Sequence, residues 1–251
     1  MRNVLVPLYR IYLSWLPYLK FRPDKWIFEI LRFANDYKSY KSQSRNPNFK
    51  TSFLYWYPCL TDRTSNTPLD PVYFYQDSWA ASKIFEYKPQ SHIDIGSAAK
   101  TIGILSQFVP ITMVDIRPIQ LKMEGLDFKQ GTILDLPFET ASQASVSSLC
   151  VIEHIGLGRY GDPIDPWGSE KAIKELQRVT KANGIILFSV PIDDVNKVYF
   201  NAHRAFTKEY IISLFDACVL EEDKYIYGNE LVDVYNQSKG FGVGLYKFRK
   251  K

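Results

Sequence analysis

From Ser78 onward the chain alternates short apolar runs with amphipathic helical ones, and this alternation limits its fold more than any other feature. Residues 78–87 (SWAASKIFEY) read as a helix, 92–96 (HIDIG) as a strand and 101–108 (TIGILSQF) as a helix. Strands are then expected at 111–116 (ITMVDI), 130–136 (QGTILDL) and 145–151 (SVSSLCV). Residues 169–184 have apolar side chains at helical spacing (Ala172, Ile173, Leu176, Val179) and end in Gly184, as a capped helix should. The continuous apolar run IILFSVP at 185–191 suits a strand buried on both faces. A helix follows over 207–217, then two alternating strands at 219–228 and 243–250 close enough to pair antiparallel. The expectation is an α/β fold: a doubly wound, mostly parallel seven-stranded sheet whose last strand pair is antiparallel.

The first 77 residues read as a helical, aromatic extension, separate from a Rossmann-like domain over 78–251. The polar stretch at 38–50 has loop composition. The dense aromatics that follow suit packing, with a stacking surface for a sugar or base as the alternative. Within residues 1–20 the apolar run is broken by Arg10, Pro7 and Pro17, so no membrane span is expected. This arm is expected to pack on its own domain or hold a homo-oligomer together, and peripheral membrane contact is its other reading. The net charge of +4 gathers near the two ends, in Lys20, Arg22, Lys25 and Arg32, then Lys247, Arg249, Lys250 and Lys251. A basic stripe interleaved with aromatics is absent, so no nucleic-acid partner is expected. Cys59, Cys150 and Cys218 are too far apart in sequence for a C-x-x-C pair. Buried thiols in a reducing, cytoplasmic setting account for them.

The chemical signal is His92-Ile93-Asp94-Ile95-Gly96-Ser97-Ala98-Ala99, a strand ending in an acid and a glycine. Gly96 allows a sharp turn at the strand's carboxyl end, where ligands of open α/β sheets bind. Asp115 ends the next strand, about 20 residues on, where a carboxylate can accept both hydroxyls of a ribose. A phosphate-binding P-loop would need glycine at Ala99, and a dinucleotide fingerprint would need three glycines where only Gly96 fits. The pattern suits a nucleoside cofactor without phosphates, such as S-adenosylmethionine. A plain α/β turn with an acid downstream is the bland alternative.

Asp94-Ile-Gly96, Asp115, Gly131-Thr-Ile-Leu-Asp135-Leu-Pro137-Phe138 and Val151-Ile-Glu153-His154-Ile155 occur in the order of class I S-adenosylmethionine-dependent methyltransferases. Over 78–251 the chain resembles that class, especially its small-molecule and surface-polysaccharide branch. The run at 153–168 also resembles an uncharacterised family shared by bacteria and nematodes. The resemblance implies that Asp94, Gly96 and Ser97 meet the methionine part of the cofactor and Asp115 its ribose. It further implies that Ile116 packs on the adenine face, with Thr132 and Ile133 at the adenine edge. The sequence departs from the class in having one glycine in the turn, and Thr132 where many relatives carry an acid.

The loop after the fourth strand gathers Glu153, His154, Arg159, Tyr160, Asp162 and Trp167 among glycines and prolines. Loops at that sheet edge carry function more often than others. It is expected to form the acceptor side of the pocket, with His154 as the base for a hydroxyl nucleophile and Glu153 beside it. A rigid structural loop is the alternative. His203 and Arg204, in a His-Arg-x-Phe-Thr string similar to one in polysaccharide-pathway methyltransferases, are the second base and a ligand for an anionic acceptor. Thr207 suits a helix N-cap. No metal is expected, although two histidines with Asp193 and Asp194 could form a site. His92 reads as structural. The function expected is O-methylation of a sugar or glycan precursor. The alternatives are methyl transfer to another small-molecule nucleophile (an amine or carboxylate) or a non-catalytic binding module.

Overall fold

The computed structural model describes residues 23–43 and 46–251. Two compact units divide the chain, residues 1–68 and 69–251. In the first, helix α1 (Pro23–Gln43) carries Phe33 and Tyr37, whose rings meet Trp56 edge-on at 5.2 and 5.1 Å. The arm read at residues 1–20, with its expected membrane or oligomer contacts, lies outside the described residues. Among the described residues no helix is long and apolar enough to cross a membrane.

The second unit begins with helix α2 (Pro71–Tyr87). Asp70 caps it by accepting from Val72 N–H at 2.9 Å and Tyr73 N–H at 3.3 Å, and Pro71 has the fixed φ that suits a first turn. The helix expected from Ser78 therefore starts earlier and takes in the aromatics read as part of the extension. The other main elements are β1 (His92–Ile95), α3 (Ala99–Leu105), β2 (Ile111–Asp115), β3 (Leu126–Gln130), β4 (Gln143–Leu149), α4 (Gly168–Val179) and β5 (Thr180–Ile192). A hairpin of β6 (Lys197–Tyr199) and β7 (His203–Ala205) precedes α5 (Lys208–Leu214), then β8 (Cys218–Tyr227), β9 (Glu230–Val232) and β10 (Gly242–Lys250).

The main sheet has the order β3-β2-β1-β4-β5-β10-β8-β9, parallel through β5 and antiparallel beyond it. It is the expected doubly wound sheet with an eighth, short edge strand. Alternate residues of β5 serve opposite faces: Ile186, Phe188 and Val190 pack in one core cluster, Ile185 and Leu187 in the other. Such a strand must be apolar throughout, which is why IILFSVP reads so clearly.

Two local expectations are corrected. The strand read at 130–136 ends at Gln130, because Thr132 closes a turn, its Oγ1 accepting from Leu134 N–H at 3.2 Å. The helix read to Gly184 ends at Val179, and Thr180 enters β5 with its hydroxyl bonded back to the Leu176 carbonyl at 2.7 Å. Between the paired positions Gln143–Thr180 and Ser145–Ile185 the register shifts, so residues 181–184 form a bulge of β5 and Gly184 is no helix cap.

Candidate functional site

The carboxyl ends of β1, β2 and β4 form one edge. Gly96 N–H bonds the Val114 carbonyl at 2.9 Å, setting the turn after β1 beside Asp115, and Gly131 N–H bonds the Asp115 carbonyl at 3.1 Å. Gly96 sits at φ +70, and a Cβ there would come within 3.0 Å of the Val151 side chain. The glycine thus serves both the left-handed turn and the close approach of the chain leaving β4.

Asp94 is fully buried. Its carboxylate accepts from Ser97 N–H at 3.1 Å, Ser97 Oγ at 2.6 Å and Ser147 Oγ at 2.5 Å. Ser147 is also 2.8 Å from His92 Nε2, and His92 Nδ1 is 2.8 Å from Ser145 Oγ. Since the Ser147 hydroxyl proton goes to Asp94, His92 donates from Nε2 and accepts at Nδ1. Burial pushes the imidazole down to about 3, so it stays neutral, and His92 is a structural strut between β1 and β4. Burial raises Asp94 to about 6, against the pull of the two serines. The oxygens of Asp94 thus hold the turn together, and Ser97 ties it to β4 by accepting from Leu149 N–H at 3.1 Å.

At the tip of β2, the Asp115 carboxylate is engaged, among the described residues, only by Arg117, through its backbone N–H at 2.8 Å and its guanidinium at 3.3 and 3.4 Å. The Arg117 side chain is 63% exposed, so the solvent side of Asp115 is bounded by a movable group. Ile116 beside it is exposed. Thr132 is exposed, but the Ile133 side chain is buried in the core, leaving only its backbone for any ligand.

The chain leaves β4 through Cys150, at φ +53, into a short turn over Ile152–His154. Glu153 is buried, and its Oε2 has no hydrogen-bond partner. Burial pushes its carboxyl up to about 8, with the Cys150 thiol bonded to it and Arg159 pulling the other way. The group is mostly a neutral acid at pH 7, so its 3.7 Å approach to His154 Nε2 is not an ion pair. His154 donates from Nδ1 to the Ala202 carbonyl at 2.7 Å, leaving Nε2 as an acceptor. Burial, then Arg159 and His203, hold it down at about 4 despite that bond. A histidine titrating near neutrality was expected here; the buried site makes it a weak base instead.

The rest of the loop is largely self-contained. Gly156, at φ +80, is packed so closely on Asp165 that a Cβ would meet its carbonyl oxygen at 2.1 Å. Asp162, expected to face an acceptor, accepts from Gly156 N–H at 2.6 Å and Tyr160 N–H at 3.2 Å. Arg204, expected to bind an anion, is buried and donates to the Ile155 carbonyl (2.5 Å), Ser169 Oγ (3.1 Å) and the Asp165 carbonyl (3.1 Å). Backbone carbonyls here need donors, and both side chains serve the loop's own framework. Arg159 donates to the Ala202 carbonyl at 2.8 Å. Tyr160 lies between Arg117 and Arg159, 4.8 and 5.2 Å from its ring centroid, and meets His154 edge-on at 5.5 Å. The loop therefore reaches the Asp115 end of the edge. Trp167 is exposed at the start of α4. His203 lies between Tyr199 and Phe241 with Nε2 buried and unpartnered. Thr207 caps α5, accepting from Tyr210 N–H at 3.3 Å. Asp193 is taken up by Lys197 at 3.0 Å and Tyr199 at 2.6 Å, and among the described residues no group of three His, Cys, Asp or Glu gathers to hold a metal.

Arg117 escaped the sequence reading, and Cys150 entered it only as a buried thiol. Arg117 could have been suspected from its place two residues beyond Asp115.

This strand order and this edge define the Rossmann-like fold of class I methyltransferases, and solved structures agree. The N-methyltransferase NodS of Bradyrhizobium japonicum, in complex with S-adenosyl-L-homocysteine, is similar with a TM-score of 0.51 at 15% identity, over 85% of this chain and 97% of that one. A 1,6-didemethyltoxoflavin-N1-methyltransferase of Burkholderia thailandensis, with its substrate and S-adenosylhomocysteine bound, gives 0.52 at 16% identity over 70% and 78%. A candidate sarcosine dimethylglycine methyltransferase of Galdieria sulphuraria gives 0.54 at 16% identity over 71% and 86%. At such identities the likeness is one of fold. Residues 129–239 match the model of a family described as Caenorhabditis protein of unknown function, DUF268. No curated protein matches the sequence.

Proposed function

We propose that the protein is a cytoplasmic S-adenosylmethionine-dependent methyltransferase acting on a hydroxyl of a sugar-like or glycan-precursor acceptor. The observation that carries this reading is the edge itself: Gly96 at φ +70 beside Asp115, whose two oxygens are met, among the described residues, by the exposed Arg117, with apolar Ile116 exposed next to them. These residues fit the cofactor. Asp115 would accept the ribose hydroxyls once Arg117 swings aside, and Ile116 would cover an adenine face. The backbone of Gly96 and Ser97 would line the methionine part, with Asp94 supporting that turn from beneath. When bound, the cofactor supplies an electrophilic methyl group.

The residues of the chain then orient the acceptor and remove its proton. Glu153, expected only beside His154, is favoured as the base over the two expected histidines, because it combines an unpartnered buried oxygen with a high proton affinity. His154 offers Nε2 as a fixed acceptor that orients the hydroxyl, and His203 stands farther along the β6–β7 hairpin. Trp167 keeps an exposed face suited to stacking on a sugar ring. Cys218 is buried, whereas Cys59 is exposed where a buried thiol was expected; free cysteines at all three positions agree with a reducing compartment.

Calorimetry with S-adenosylhomocysteine should show binding of the full chain, and labelled methyl from the cofactor should appear on a hydroxyl acceptor from a panel of sugars. A base with its pKa raised to about 8 predicts a rate that climbs with pH and levels off above that value. A folded protein that binds neither cofactor nor its demethylated product would end the proposal.

A further inference from the structure

The first turns of α2 and the length of α3 lie side by side, joined where Thr101 Oγ1 donates to Asp77 at 2.5 Å. Between them runs a groove of about 590 Å³, lined on one side by Tyr73, Phe74 and Asp77 and on the other by Ala98, Thr101 and Ile104. That volume is in the range of small-molecule sites. Phe74 is 52% and Ile104 57% exposed, so the groove presents large apolar side chains that nothing in the second unit covers. Of its polar members, Asp77 accepts from Thr101, Asp70 caps α2 and Ser78 donates to the Phe74 carbonyl, while Lys100 is exposed.

One end of the groove meets the candidate site. Ala98 follows directly on the Gly96–Ser97 turn. Tyr73 also lines the groove, and its phenol is pushed up by burial and then by Cys150, Asp70 and Glu153, which places it in the field of the chain leaving β4. We propose that this groove holds the apolar chain of an amphipathic acceptor, an alkyl or isoprenoid tail, whose hydroxylated head lies at Glu153. A polar chain would lose hydration against Phe74 and Ile104, whereas each methylene laid on them adds to affinity. The position of the head rests on the methyl-transfer reading; tail binding is measurable without it.

The probes are octyl β-glucoside, kept below its micelle-forming concentration, and methyl β-glucoside, which shares the head but lacks the tail. Binding to the full chain is followed by calorimetry with and without S-adenosylhomocysteine. The octyl compound should bind at least tenfold more tightly than the methyl one. Phe74→Asp and Ile104→Asp, both at exposed positions, should each remove most of that difference. Phe85→Asp, on the same helix but outside the groove, should not. Equal affinity for the two probes overturns the inference, as does an equal loss in Phe85→Asp, which would mark general adsorption of detergent. A change of oligomeric state in Phe74→Asp with octyl binding unaltered would make the groove a protein interface and also overturn it. If tail binding behaves as expected while S-adenosylhomocysteine does not bind, the groove stands and the methyltransferase reading falls.

Discussion

Asp94, at the end of β1, and Glu153, just beyond β4, are buried acids on the same sheet edge, and their surroundings differ. Asp94 receives three hydrogen bonds from Ser97 and Ser147, and behind it runs the chain of Ser147, His92 and Ser145. Glu153 has a thiol as hydrogen-bonding neighbour and one oxygen with no partner. Burial raises both acids, but the donors around Asp94 hold it to about 6, while Glu153 reaches about 8. A buried acid that is fully satisfied belongs to the framework. One left unsatisfied is available for chemistry, because an incoming hydroxyl replaces a missing partner. The same test sorts the loop after β4, where Asp162 and Arg204 are satisfied within the framework.

The sharpest way to break the contrast is Glu153→Gln, which keeps shape and removes the base. Turnover should fall by about 10²-fold or more, within the range for a lost general base, with S-adenosylhomocysteine affinity unchanged. Normal turnover in this variant would return the role to His203. Next in size is Arg204→Ala. Hydrogen bonds from a charged donor contribute roughly 1.5–3 kcal/mol each and the partners are buried, so unfolding in urea should show a loss of about 2 kcal/mol or more. A variant of normal stability that loses affinity for an anionic acceptor would reverse the assignment.

Asp115→Ala should weaken S-adenosylhomocysteine binding by about tenfold, less than two charge-assisted bonds alone would suggest, because Arg117 competes for the same oxygens. Unchanged affinity in a folded variant would remove Asp115 from the ribose. His154→Ala should lower turnover by less than tenfold or so, since a histidine held near 4 contributes orientation more than proton transfer.

The last effect is one of sign. Burial holds the Glu153 carboxyl at about 8 against an ordinary 4.5, so its contribution to stability is present below pH 4.5 and is lost as the pH rises through 8. Asp94 loses its own contribution between about 3.8 and 6, in the wild type and the variant alike. Denaturant titrations should therefore find Glu153→Gln more stable than wild type at pH 9, with the advantage gone by pH 4. An advantage that does not vary with pH would mean Glu153 is not buried as an acid.

Much of this molecule was legible in the chain. The order of strands and helices after Ser78 is a matter of periodicity, and periodicity is local: a strand buried on both faces must be apolar throughout, and a helix must repeat its apolar face. Asp94, Gly96 and Asp115 could be placed at the strand ends for the same reason. Elements whose ends depend on a partner were read less well. Thr180 belongs to β5 because Gln143 pairs with it, and Pro71 opens α2 because Asp70 caps a helix that packs on the sheet. The roles of charged residues were not local at all. Nothing near Arg204 in sequence announces that its donors reach the Ile155 and Asp165 carbonyls, and nothing near Glu153 says that one oxygen lacks a partner. Residue type and spacing determined where chemistry could be. Only the tertiary structure decided which polar groups were left unsatisfied, because hydrogen-bond partners and burial come from segments far apart in the chain.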